Sequence, residues 1–422
     1  MTSGAWLAGA LLCVLAVAGC GRDGGKAPPA AAPTTITALI WAPDWPQEMQ
    51  KVAAEFTRLN PDVKVDLEFM SGNSVEKNIE PRLVARNLPD LMSVNPNAYT
   101  AALADQGVLA DVGHTAAWAT VLPGLKGDWM TQNGKRFGIA GGVAATLIYY
   151  NKSMFKQAGI ERLPTNFSQF LDVCERLKRA GFTPIFWDGG FPNMLANGPF
   201  SFGFANNIVA HTPDWKARIA DGTLNLATSG GADIFAKIRL VAQRGYVQPD
   251  YMNSDNDDAI AMFSGGKTAM AFQGSWASGS LMSAKGFETG VMVPPWNDRG
   301  SMAVPVIGSE TGFAVCQTPN KEAAIRFLEF ITGAGFAIQQ NKRHNISPFL
   351  AGGQMAGDPR LVAYVDTVER APVTGSPYYS MLAANTIDML HPLIQDVLTG
   401  KVTPQQAARR LDASIRAEAK KP

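Results

Sequence analysis

Few residues in this chain have the types and spacing that chemistry demands. The histidines, His114, His211, His344 and His391, are far apart and share no metal-like spacing. Gly266-Lys267-Thr268 imitates the end of a phosphate-binding loop, but Ala261 stands where that motif needs its first glycine. A helix pattern also precedes it and a strand pattern follows, the reverse of what the loop requires. Gly308-Ser309-Glu310-Thr311-Gly312 carries its serine one place too early for a nucleophile elbow. No catalytic, cofactor or metal site is expected.

Aromatics beside carboxylates say more. Trp41 and Trp45 flank Asp44 just after a strand pattern, and Trp187 precedes Asp188 after another. Trp276 follows Gly274-Ser275, Trp296 follows Pro294-Pro295, and Tyr378-Tyr379 follows Pro377. Aromatic faces suit the C–H surfaces of sugars, and carboxylates bond their hydroxyls. Any one of these rings could equally pack in a core. As a group at strand ends they suggest a binding cleft, because doubly wound sheets hold ligands there.

The elements that must position them alternate from Thr34 onward. Strand patterns cover Thr35–Trp41, Val63–Met70 and Leu91–Val94, with helical spacing over Gln47–Leu59 and Ser74–Arg86 between them. Further on come a strand at Ala144–Tyr150, a helix at Asn166–Ala180 capped by Thr165 and ended by Gly181, and a strand at Thr183–Trp187. Asp255–Phe263 predicts a helix, Thr268–Phe272 a strand, and the chain beyond Asn320 is mostly helical. A βαβαβ opening predicts an α/β fold with a parallel, doubly wound sheet. At 422 residues the chain is too long for one compact core and suggests two lobes.

Composition narrows the partners. Charged residues make up 17% and the net charge is +1, so the basic excess of a nucleic-acid binder is missing. Ala5–Gly19 is an apolar run with the length of a signal-peptide core, ending in Val17-Ala18-Gly19-Cys20. Small residues before a cysteine resemble a bacterial lipobox, which implies a diacylglycerol on Cys20 and a membrane anchor. Gly21–Pro33 is rich in Gly, Ala and Pro and reads as a flexible tether. Cys174 and Cys316 are either two buried small hydrophobes or a disulfide.

Several stretches in order resemble the extracellular solute-binding proteins of bacterial ABC importers, the family of maltose-binding protein. They are Asn60-Pro61-Asp62-Val63, Leu88-Pro89-Asp90-Leu91, Gly107-Val108-Leu109-Ala110-Asp111 and Tyr149-Tyr150-Asn151-Lys152. Pro164-Thr165-Asn166-Phe167, Phe263-Ser264-Gly265-Gly266-Lys267-Thr268, Gly274-Ser275-Trp276, Asn320-Lys321-Glu322-Ala323-Ala324 and Gly400-Lys401-Val402-Thr403-Pro404 follow. The resemblance implies two α/β lobes of the periplasmic-binding-protein kind, joined by a hinge, with the ligand between them. By analogy, 1–19 is the signal peptide and 20–33 the lipidated cysteine and tether. Residues 34–142 with 302–349 form one lobe, and 143–301 with 350–422 the other.

It also implies contact positions at Trp41, Asp44, Trp45, Asn95, Trp187, Asp188, Trp276 and Tyr378 or Tyr379; Trp296 is added from its place after the two prolines. Asn95 departs from the aromatic that maltose-binding protein carries there. The expected function is a monomeric, lipid-anchored receptor that delivers a mono- or oligosaccharide to an importer's permease, without a cofactor. Receptors for a polyol or glycerol phosphate, an extracellular carbohydrate hydrolase using Asp44 and Asp188, and a structural surface protein are the alternatives.

Overall fold

The computed structural model describes residues 32–42, 46–71, 75–121, 123–131, 133–190, 192–298, 300–335, 364, 368 and 371–419. The expected signal peptide, Cys20 and most of the tether lie outside these, as do Asp44, Trp45 and residues 336–363.

Two sheets organise the chain. The first has the order β2-β1-β3-β9, from Val63–Phe69, Thr34–Ile40, Leu91–Val94 and Gly312–Val315. β1 runs parallel to β2 and to β3, with Ile36 opposite Val65 and Ala38 opposite Leu91, whereas β9 is antiparallel to β3. The helix Pro46–Leu59 connects β1 and β2, and Val75–Val84 connects β2 and β3, as right-periodic apolar stripes require. Met49, Val52 and Phe56 are the buried stripe of the first, and Phe56 meets Phe327 of the helix Lys321–Thr332 at 5.0 Å.

The second sheet is mixed rather than parallel. Its order is β5-β6-β4-β7, from Thr183–Phe186, Thr268–Gly274, Val143–Asn151 and Thr289–Met292. β5 and β6 are parallel; β4 is antiparallel to β6, β7 and β8 (Val306–Ser309). β8 falls within 302–349 and still bonds to β4, and the chain changes sheets just after it, at Glu310-Thr311, before β9. Behind this sheet lies the larger core, to which Ala384–Leu398 and Pro404–Ala419 contribute Leu390, Ile394, Leu411 and Ile415.

Local signals mostly fall where the residues predict. The helix over Phe167–Arg179 is capped by Asn166, whose side chain accepts from the Gln169 N–H, and not by Thr165. Gly181 follows its end at φ +86°, a left-handed position that favours glycine. Cys174 and Cys316 are both buried and both free, so no disulfide joins them. Burial raises both thiol pKa values, Cys316 to about 12.

Candidate functional site

At the carboxyl ends of the first sheet, polar side chains bond to one another. Trp41 follows β1, part-exposed, and its backbone N–H donates to Ser93 Oγ of β3 at 2.9 Å. Asn95 follows β3: its amide donates to Glu76 Oε1 at 3.0 Å, and its carbonyl accepts from Thr311 Oγ1 at 2.7 Å. Asn97 donates to the same Glu76 oxygen at 2.8 Å and, through its own oxygen, caps the helix Ala98–Asp105. Tyr99, on the first turn of that helix, is half-buried and its hydroxyl has no hydrogen-bond partner among the described residues. Burial, with Glu80 and Glu76 nearby, pushes it up to about 12.

The second sheet presents its strand ends differently. Trp187, after β5, is 2% exposed and its backbone is clasped by the Gln248 side chain at 2.9 and 2.6 Å. Asp188 is equally buried, and its carboxylate accepts the Met194 N–H at 3.1 Å. Burial raises its pKa to about 8, against the pull of that bond, because a carboxylate without water disfavours its charge. The Tyr378 hydroxyl donates to Asn193 Oδ1 at 2.6 Å, one residue from Asp188's partner.

Tyr378 and Tyr379 are carried beside the crossover strand. Gly375 pairs with Val306, and a Cβ at Gly308 would lie 2.5 Å from Pro377. The two rings meet edge to face at 5.7 Å. Burial raises the pKa of both hydroxyls, with Glu76 and Asp188 adding to the shift at Tyr378, and Glu310 and Asp128 at Tyr379. The pair therefore lies beside the crossover strand, within electrostatic reach of Glu76 of the first lobe and Asp188 of the second.

The remaining two tryptophans part company. Trp276 is part-exposed and lies over Gly274, where a Cβ would come 2.2 Å from the indole; glycine is needed for that approach. Trp296 is fully enclosed by Phe167, Phe170, Phe272 and Phe202 at 5.0 to 5.8 Å. No face of Trp296 is open to a ligand in this arrangement. The turn after Pro294-Pro295 aims the ring inward, which position in the sequence does not reveal.

The structure thus ties Asn95 to Glu76 and to Thr311 at the crossover, and links Tyr378 through Asn193 to the segment that holds Asp188. It leaves Trp41 and Trp276 part-exposed at strand ends and turns Trp187 and Trp296 into their own lobe. Glu76, Asn97, Tyr99, Asn193, Glu310 and Thr311 belong to the same region and were not singled out from sequence. The strand end at Val94 is a signal that could have reached Asn97 and Tyr99; Glu76, on a helix, has none. Among the described residues no group of three or more His, Cys, Asp or Glu could hold a metal, and no helix is long and apolar enough to cross a membrane.

Comparison with known proteins adds to this geometry. The family model described as bacterial extracellular solute-binding protein matches residues 42–337. A multiple sugar-binding protein of Streptococcus mutans is 21% identical over 298 residues, 68% of each chain. The sn-glycerol-3-phosphate-binding periplasmic protein of Salmonella typhimurium is 22% identical over 401 residues, 87% of this chain and 88% of the relative. Among solved structures, a chitin oligosaccharide binding protein superimposes with a TM-score of 0.78 at 20% identity, covering 92% of this chain and 99% of that one. The last likeness establishes the two-lobed fold.

Proposed function

The chain belongs to the bacterial extracellular solute-binding proteins, and from that premise we propose that it is a lipid-anchored receptor, holding a carbohydrate between its lobes for an ABC importer. The family consists of binding proteins, and the chain is not an enzyme. One observation carries the ligand reading. Asn95 at the end of β3 bonds both to Glu76 of the neighbouring helix and to Thr311 of the crossover, and an aromatic pair of the second lobe (Tyr378, Tyr379) is carried beside that same crossover by the pairing of Gly375 with Val306. Hydroxyl-rich rings need both kinds of group, edges to bond and faces to stack. A relative named for multiple sugars supports the same class.

In this reading Trp41, Asp44, Trp45, Asn95, Trp276, Tyr378 and Tyr379 contact the sugar, and Asp188 and Trp187 support the cleft floor. The two sheets with the helices packed on them, joined at the Glu310-Thr311 crossover, move as the two lobes of a monomer. A thermal-shift panel tests the ligand: lactose, raffinose, chitobiose, glycerol and sn-glycerol 3-phosphate. A sugar that binds only the folded state raises the melting temperature. A rise with glycerol 3-phosphate alone would replace the carbohydrate reading with that of the Salmonella relative. For the anchor, Cys20→Ser should release the protein from membranes on cell fractionation; unchanged partitioning removes Cys20 from the account.

A further inference from the structure

We propose that Lys216 and Asp128 form a positioning pair that biases the two lobes towards the arrangement seen here, independently of the ligand. Lys216 lies on the helix Trp215–Ala220, whose Trp215 is buried in the second lobe's core against Phe204 at 5.6 Å. Asp128 lies in the 3₁₀ segment Pro123–Trp129, anchored in the first lobe's core by Leu125 and Trp129. Lys216 Nζ reaches Asp128 Oδ1 at 2.9 Å, so the pair spans the lobes.

The two partners are held unequally. The Asp128 side chain is only 9% exposed and its second oxygen accepts from Ser309 Oγ at 3.4 Å; Lys216 is 60% exposed. Ser309 in turn accepts from the Trp129 indole N–H at 2.9 Å. Trp129 is fully buried, and a Cβ at Gly312 would lie 2.5 Å from its ring. The acid therefore stays with the first lobe through its neighbour Trp129 and meets Ser309, the last residue of β8, one residue before the chain changes sheets. Lys216 rides on the other lobe. A rotation about the crossover lengthens the Lys216–Asp128 distance, and the attraction opposing it falls with separation and with salt.

Small-angle scattering without any sugar tests this, at 20 and at 500 mM NaCl. In the wild type, the higher salt should lower the ratio of compact to open forms by up to about fivefold, the ceiling for a part-exposed pair, and so raise the radius of gyration. Lys216→Ala and Asp128→Asn should give the larger radius at both salt concentrations, and Lys216→Arg should keep the wild-type response. A wild type insensitive to salt overturns the proposal, and so does a Lys216→Ala variant that responds as the wild type does. Lys216 is exposed, so its removal leaves the fold intact. Since no ligand enters the measurement, failure of the sugar panel would sink the carbohydrate reading and leave this result standing.

Discussion

The ends of β3 and β5 occupy comparable places, each the carboxyl end of a strand paired in parallel with a neighbour, yet they treat polar residues in opposite ways. After β3, Asn95 and Asn97 share the Glu76 carboxylate, and Thr311 completes the set. After β5, Trp187 and Asp188 are swallowed, with 2% exposure each. The difference follows from what covers each end. The Gln248 side chain clasps Trp187 and the Met194 N–H closes on Asp188, whereas Asn95 after β3 opens onto the crossover. Topology says where a ligand can sit, but the local cover decides which side chains reach it.

Trp296→Ala gives the largest effect expected on the covered side. It empties a ring of four phenylalanines and should cost about 3–5 kcal/mol of stability, with an affinity within about threefold among molecules that stay folded. Calorimetry on unfolding and binding reads both. A large loss of affinity without loss of stability would place Trp296 at the ligand and break the contrast.

Asp188 tests burial by pH. Its folded pKa, about 8, lies above the usual unfolded value near 4. The unfolded chain therefore loses its proton first, and stability falls as pH rises from about 4 to about 8, by on the order of 4 kcal/mol at pH 7. Asp188→Asn keeps an oxygen for the Met194 N–H and should flatten that slope, melting higher than wild type at pH 7. Identical slopes for the two proteins would mean that Asp188 ionises freely.

On the open side, Trp276→Ala should weaken binding of whichever panel sugar raises the melting temperature by roughly 30- to 400-fold, the loss of a stacked face. Gly274→Ala should do much the same, since the added methyl displaces the indole. If both variants bind normally but melt early, Trp276 is a packing residue. The smallest change expected is Thr311→Val, which removes one hydrogen bond to Asn95 and should cost about 1 kcal/mol, a fewfold loss of affinity with Asn95 still held by Glu76.

Much of the architecture is legible from local pattern. The alternation over Thr35–Trp41 and Val63–Met70, the short buried run Leu91–Val94 and the helical stripe of Met49, Val52 and Phe56 are regularities of two to four residues, and the elements form where they say, within a residue or so. Family membership is legible for the same reason, being spread over many short matches in order. The site is legible in part. Strand-end reasoning reaches Asp188, the aromatic reasoning reaches Tyr378, and the family resemblance reaches Asn95; the fold links Asp188 and Tyr378 through neighbouring residues Met194 and Asn193. Such reasoning misses Glu76 and Thr311, because their partners are set by long-range pairing that no local window contains.

The amino-acid sequence by itself determined the elements, the α/β class and the kinship, since these depend on periodicity and on residues near in the chain. Only the tertiary structure decided that Trp276 lies part-exposed over a glycine while Trp296 is sealed among phenylalanines. It alone set the antiparallel pairing of β4 and the bridge between Asp128 and Lys216. The physical reason is common to all of these. Burial and charge pairing depend on which distant surfaces come together, and two tryptophans in similar loops differ only in what packs against them.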